Sequence, residues 1–173
     1  MKSRDIQKFR ELVEANKHWA YEVAFSFVGD SMTAYDISQQ AFVKVWRNFK
    51  KWKPQTGFRA WLYAILRNLC YSHLERQRRR AETDIDSVPH LAAENTDAEK
   101  SALDEEMRRV VREAILKLSP EHQDVIVLVD LNGLKYREVS EILGIPAGTV
   151  MSRLYYARRR LAELLKDYWE GNL

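Results

Sequence analysis

A chain of 173 residues with 46% hydrophobic and 31% charged side chains has room for one ordinary domain or two small ones, each with a modest core. Six Gly and four Pro are too few for an all-β chain rich in tight turns, no run of about 18 apolar residues is present to span a bilayer, and a single cysteine, Cys70, excludes both an internal disulfide and a cysteine-based zinc cluster. The net charge of +3 is unevenly spread: residues 81–106 hold nine acids against Lys100 alone, a local −8 that leaves +11 on the rest, so two basic bodies flank an acidic strap, as expected of a chain that meets a polyanion.

The amino terminus, MKSRDIQKFRELVE, is charged and lacks the uninterrupted apolar segment of a secretory signal, so a cytoplasmic location is expected. Ile6, Phe9, Leu12, Val13, Ala20, Val23, Ala24 and Phe27 keep helical spacing and predict a first helix that Gly29 and Asp30 interrupt. A second helix, capped by Ser31 or Thr33, runs through Ile37, Ala41, Val45, Trp46 and Phe49 to about residue 51. The loop WKPQTG breaks the pattern, and a third helix runs from Phe58 to about Arg80 on the stripe Phe58, Leu62, Ile65 and Leu69. Its other faces interleave Tyr63 and Tyr71 with Arg59, Arg67 and Arg76, the composition that single-stranded nucleic acid needs, because bases stack on aromatic rings while cations hold phosphates. Trp61 reads as a core residue, a core position in a three-helix bundle stays open for Tyr63, and the run ERQRRR ending at Arg80 holds more cations than a helix terminus requires.

Residues 81 to about 103 have weak periodicity and predict a mostly irregular tether. Helical spacing returns at Met107, Val110, Val111, Ala114, Ile115 and Leu118; Ser119 and Pro120 start another helix, which stops at Asn132 and Gly133. The stretch YREVSEILGIPAGTVMSRLYYARRRL, residues 136–161, then reads as two helices joined by a tight turn at Gly144 and Pro146. Val150, Leu154, Ala157 and Leu161 form one inward stripe of the second helix. Thr149, Ser152, Arg153, Tyr156, Arg159 and Arg160 remain on its outer face, flanked by Met151, Tyr155 and Arg158, a mixture suited to a major groove. His18 and His90 lack companions that could complete a metal site, and no nucleophile constellation or phosphate loop is visible, so no metal, no cofactor and no enzymatic activity is expected.

Two motif sets in this order resemble one family, the extracytoplasmic-function (group IV) sigma factors of bacterial RNA polymerase. DISQQAFVKVW (36–46) and FRAWLYAILRN (58–68) are similar to the family's region 2; LSP (118–120), LKYREV (134–139) and LGIPAGTVMSRL (143–154) are similar to region 4. The resemblance implies an all-α fold of two small helical domains, 1–80 and 107–173, joined by a flexible acidic linker, 81–106. It implies a subunit without bond-making chemistry that binds core RNA polymerase, directs it to promoters and helps to open the DNA. The −35 element would meet Thr149, Ser152, Arg153, Tyr155, Tyr156, Arg158 and Arg159. The −10 element would meet Thr56, Phe58 and Asn68, with Arg76, Arg78 and Arg79 on phosphates.

The same resemblance assigns Asp36, Gln39 and Gln40 to the clamp helices of the polymerase β′ subunit, with the β subunit as a further contact. The partners implied are core polymerase, promoter DNA and an anti-sigma factor that could hold the protein at the inner membrane, without direct membrane insertion. Met151 and Tyr156 stand where a basic residue is frequent in the family. Two other readings of the residues stay open: a sigma-like protein that occupies an anti-sigma factor without reading DNA, and a stand-alone helix-turn-helix regulator.

Overall fold

The computed structural model describes residues 3–83 and 98–171, and among them every regular element is a helix. Helices α1 (Ser3–Val28), α2 (Ser31–Asn48) and α3 (Phe58–Thr83) pack against one another as a three-helix unit. The second unit comprises α4 (Ala98–Leu116), α5 (Pro120–Val125), α6 (Tyr136–Leu143) and α7 (Ala147–Gly171), with a π-helical turn at Ile126–Leu131.

Helix α1 buries Trp19, Ala20, Val23, Ala24 and Phe27 on one face, and burying a side chain as large as that of Phe27 contributes roughly 1.5–3 kcal/mol. The helix ends because Gly29 takes φ +71, a conformation open to glycine, and donates its N–H to the Phe25 carbonyl at 2.9 Å. The cap of α2 is Asp30, whose carboxylate accepts from the Thr33 N–H at 2.7 Å. This corrects the expectation of Ser31 or Thr33: both lie already inside the helix, and the ionised carboxylate one position earlier is the stronger acceptor.

Between α2 and α3, single 3-10 turns at Phe49–Lys51 and Pro54–Thr56 fold the chain back, and Gly57 closes the loop at φ +67. Trp52 lies parallel to Trp61 at 6.2 Å and edge-on to Phe58 at 5.7 Å, so the loop is pinned by an aromatic cluster. Trp61 is partly buried against the core, as expected.

Helix continues to Thr83 and resumes at Ala98, so both ends of the stretch read as an irregular tether are helical; residues 84–97 and His90 lie outside the described residues. The acids there are tolerable helix formers, and weak apolar periodicity did not forbid helix.

In the second unit, Ser119 is the cap and Pro120 the first helical residue of α5. Gly144 ends α6 in the left-handed conformation, φ 66, and the Ser140 hydroxyl donates to the Ile145 carbonyl at 2.5 Å, fixing the turn into α7. Val150, Leu154 and Ala157 are buried and Leu161 is half-buried, so the inward stripe of α7 falls where its spacing places it. Val139 and Ile142 of α6 face that stripe.

The two units share one continuous apolar core, and polar groups tie them across the seam. The Tyr63 hydroxyl donates to Asp124 Oδ1 at 2.7 Å, and Arg67 Nε stands 2.9 Å from the same oxygen, off the line of a hydrogen bond and so as an electrostatic contact. The Tyr71 hydroxyl donates to Gln123 Oε1 at 2.9 Å, while the Gln123 amide donates to the carbonyls of Leu118 and Leu116 at 2.7 and 3.1 Å. Asn132 reaches Ser26 at 3.1 Å, and Arg112 lies over the Phe25 ring. Tyr63 is 3% exposed and Asp124 6% exposed, so this seam is dry enough for its hydrogen bonds to matter. Burial raises the Asp124 carboxyl above 3.8 against the opposing pull of Tyr63 and Arg67, and burial followed by the charge on Asp124 pushes the Tyr63 phenol well up, keeping it a donor.

Candidate nucleic-acid interface

The outer face of α7 is largely accessible. Ser152, Tyr155, Tyr156, Arg158, Arg159 and Arg160 are exposed, as is Met151; Thr149 and Arg153 are half-buried. The arginines are restrained. Arg158 grips Asp130 with both Nε and Nη2, at 3.0 and 2.5 Å; Arg153 faces Glu121 at 3.7 Å; Arg159 and Arg160 share Glu163 at 3.7 and 3.0 Å. Solvated pairs of this kind stabilise by only about 0.2–1 kcal/mol, so Arg159 and Arg160 are available to phosphates at little cost. Arg158 is the better anchored: its bond to Asp130 raises its pKa and fixes its direction.

On α3 the residues expected at the −10 element separate into two groups. Asn68 is exposed and can both donate and accept through its amide. Arg76, Arg78 and Arg79 are exposed at the carboxyl end; Arg76 bonds the Ser72 carbonyl, while Arg78 and Arg79 meet Glu75 at 3.4 and 3.0 Å and hold its pKa down, Arg79 most. Phe58, by contrast, is 8% exposed within the aromatic cluster and offers no free ring face to a base. Its position at the start of the core stripe Phe58, Leu62 and Leu69 is the reason. The backbone of Thr56 lies in the loop beside it, and its side chain is outside those described.

Tyr63, for which the sequence leaves a core position open, is buried, and Tyr71, placed by the sequence among the candidate faces for nucleic acid, is half-buried; both hydroxyls point into the seam with the second unit. Asp124 and Gln123 were missed as their partners. A signal existed in the sequence: Gln123 and Asp124 are two polar residues immediately before an apolar run and past the first turn of α5, whose dipole is already met by Glu121. In the sequence Arg59 is one cation among several. It is held by the Asn16 side chain at 3.1 Å and lies over the Trp19 ring at 5.0 Å, which stiffens the start of α3. A shallow groove of about 280 Å³ lies between this start, Asn16 and the α6 residues Glu138, Glu141 and Ile142.

On α2 the side chains of Asp36, Gln39 and Gln40 are all exposed, in a row that also contains Met32, Tyr35 and Val43 at 73%, 55% and 48% exposure. The apolar members were not singled out in the sequence. Their spacing, offset from the buried Ala34, Ile37, Ala41 and Val45, is the signal that could have found them. Cys70 is fully buried and burial pushes its thiol up to about 12, so it packs as an inert small residue. No helix among the described residues is long and apolar enough to cross a membrane.

Residues 12–80 match the family Sigma-70 region 2, and residues 108–161 match Sigma-70, region 4. The chain is 31% identical to the ECF RNA polymerase sigma-E factor of Escherichia coli K12, over 91% of this chain and 86% of that one. It is also 31% identical to the ECF RNA polymerase sigma factor SigE of Mycolicibacterium smegmatis, where the match covers 91% of this chain but 62% of the longer relative. Among solved structures, the sigma factor RpoE of Bartonella quintana, crystallised with the anti-sigma factor NepR, superposes with a TM-score of 0.62 at 27% identity, over 92% of this chain and 98% of that one. With region 2 and region 4 matched in order along the chain and 31% identity to a named member over 91% of this chain and 86% of that one, the chain belongs to the extracytoplasmic-function sigma factors of RNA polymerase.

Proposed function

We propose that this chain binds core RNA polymerase and directs it to promoters carrying −10 and −35 elements, with no bond-making chemistry of its own. The observation that carries this reading is the accessibility of the α7 outer face, the Asn68 and arginine end of α3 and the α2 row, all on the matched regions. In this reading α7 enters the major groove of the −35 element, with Ser152, Tyr155 and Tyr156 near base edges, Arg153 supporting them through Glu121, and Arg158 and Arg159 at phosphates. Asn68 receives an unstacked base of the −10 element, and Arg76, Arg78 and Arg79 steady the strand. The buried ring of Phe58 supports the loop from behind.

Asp36, Gln39 and Gln40, joined by Tyr35 and Val43, form the polymerase-docking row, a half-apolar surface appropriate to a protein partner. The helical units would serve as the region 2 and region 4 domains, the acidic stretch between them as the linker, and the protein would act in the cytoplasm under an anti-sigma factor, as RpoE of Bartonella quintana is paired with NepR. Core polymerase is mixed with promoter fragments in the presence and absence of the protein. Selective initiation that depends on the protein is expected; absence of any such initiation across genomic promoter fragments rejects the proposal.

A further inference from the structure

We infer that the α7 face of this protein reads thymine through its C5-methyl group, with Met151 as the specificity-determining residue and Tyr155 beside it; the inference rests on the promoter-reading function proposed above. The first two turns of a recognition helix are those that reach base edges. On α7 they contain no lysine, and their arginine, Arg153, is only 29% exposed and faces Glu121. Ser152 returns its hydroxyl to the Thr149 carbonyl at 3.1 Å. Met151, Tyr155 and Tyr156, in contrast, are 55%, 63% and 58% exposed.

Met151 and Tyr155 line an open groove of about 560 Å³ with Tyr136, Leu154, Arg158 and Arg159. The Tyr155 and Tyr156 rings brace each other edge to face at 5.3 Å. Three exposed large apolar side chains over two successive turns, rimmed by arginines, form a contact surface for a partner that is anionic outside and apolar within. A duplex major groove has that form where thymine stands, because thymine alone presents a methyl group there. Methionine, unbranched and polarisable, conforms to such a methyl. The commonest reading of guanine, a bidentate arginine on O6 and N7, has only the half-buried Arg153 to call on at these turns.

The test uses holoenzyme, core polymerase with the full chain, on a promoter fragment that it initiates from. Each thymine of the −35 element is replaced in turn by deoxyuridine, which removes only the methyl. At one or two positions affinity is expected to fall about fourfold, the value of one buried methyl, and Met151→Ala should bring the thymine-to-uracil ratio at one of them to unity. Met151→Arg should move the preference there from thymine towards guanine. Both variants change an exposed side chain, and a matching melting curve confirms the fold.

Wild-type holoenzyme that binds thymine and uracil fragments equally at every position, while still initiating selectively, overturns the inference and leaves the promoter function standing. A Met151→Ala loss shared equally by both fragments also overturns it, as does a loss of core-polymerase binding at an unchanged ratio, which would make the patch a protein contact. Absence of selective initiation rejects both readings together.

Discussion

Replacing Asp124 by alanine removes the carboxylate that Tyr63 and Arg67 both approach across the seam between the two helical units. The Tyr63 hydroxyl, on a residue 3% exposed, then loses its acceptor in a place water reaches poorly, a cost of about 1–3 kcal/mol. Arg67 keeps 30% of its side chain in solvent and recovers hydration, so its share is small. Against this, the buried carboxylate is itself penalised, as its raised pKa records, and its removal returns part of that penalty. The net expectation is a loss of about 1–2 kcal/mol for Asp124→Ala. Asp124→Asn keeps an oxygen in place for Tyr63 and discards the charge, and should cost under about 1 kcal/mol.

Urea unfolding of both variants, of Tyr63→Phe and of the Tyr63→Phe, Asp124→Ala double variant gives the coupling across the seam. Additivity within about 0.3–0.5 kcal/mol would refute the contact and with it the packed arrangement of the two units. Asparagine as costly as alanine would refute the view that the acceptor outweighs the charge. The pH dependence carries its own sign. The folded carboxyl holds its proton more tightly than the unfolded one, so its contribution is complete below the ordinary 3.8 and is lost as pH rises through the raised value. Asp124→Asn should abolish that part of the slope. Scattering supplies a second readout: a compact chain of this length has a radius of gyration of about 16 Å, and the alanine variant should exceed the parent.

His73 gives the opposite sign. Its Nε2 is buried without a hydrogen-bond partner among the described residues, and burial, then Arg76 and Arg80, hold its pKa below 6.5 against Asp30. Its contribution is therefore present above 6.5 and lost as pH falls through the lowered value, and His73→Gln should flatten the fall of stability below 6.5; an unchanged slope contradicts this. Gly144→Ala meets no neighbour within 4 Å but forces a β-carbon onto φ +66, so thermal melting should show a loss of about 1 kcal/mol from backbone strain alone. An unaltered melting curve would count against that turn. Asn68→Ala, on an exposed position of α3, should lower open-complex formation in a footprinting assay while core-polymerase binding is retained; equal loss of both would remove Asn68 from the −10 site.

The helices, their order and the inward stripe of α7 were legible because each rests on local spacing: Val150, Leu154 and Ala157 have to lie on one face of any helix that contains them. The exposed candidates at Asn68, Gln39 and Tyr156 were legible for the same reason, as residues left over when the stripe is removed. What local spacing cannot give is the partner of a polar group distant in sequence. Tyr63 and Tyr71 among arginines suggested nucleic acid, yet their hydroxyls are taken by Asp124 and Gln123, about 60 and 50 residues away. Phe58 shows the converse: one residue could serve as loop ligand or as start of a core stripe, and the aromatic cluster of Trp52 and Trp61 favours burial. Restraint of the α7 arginines by Glu121, Asp130 and Glu163 was likewise hidden, except where Glu163 lies within one helical turn of Arg159 and Arg160.

Sequencing the RNA made from genomic DNA by core polymerase, with and without the protein, tests the promoter-directing role most directly. New start sites that appear only with the protein and share one sequence element near −10 and another near −35 are expected. Start sites unchanged from core polymerase alone, or new ones with no common upstream element, would contradict it.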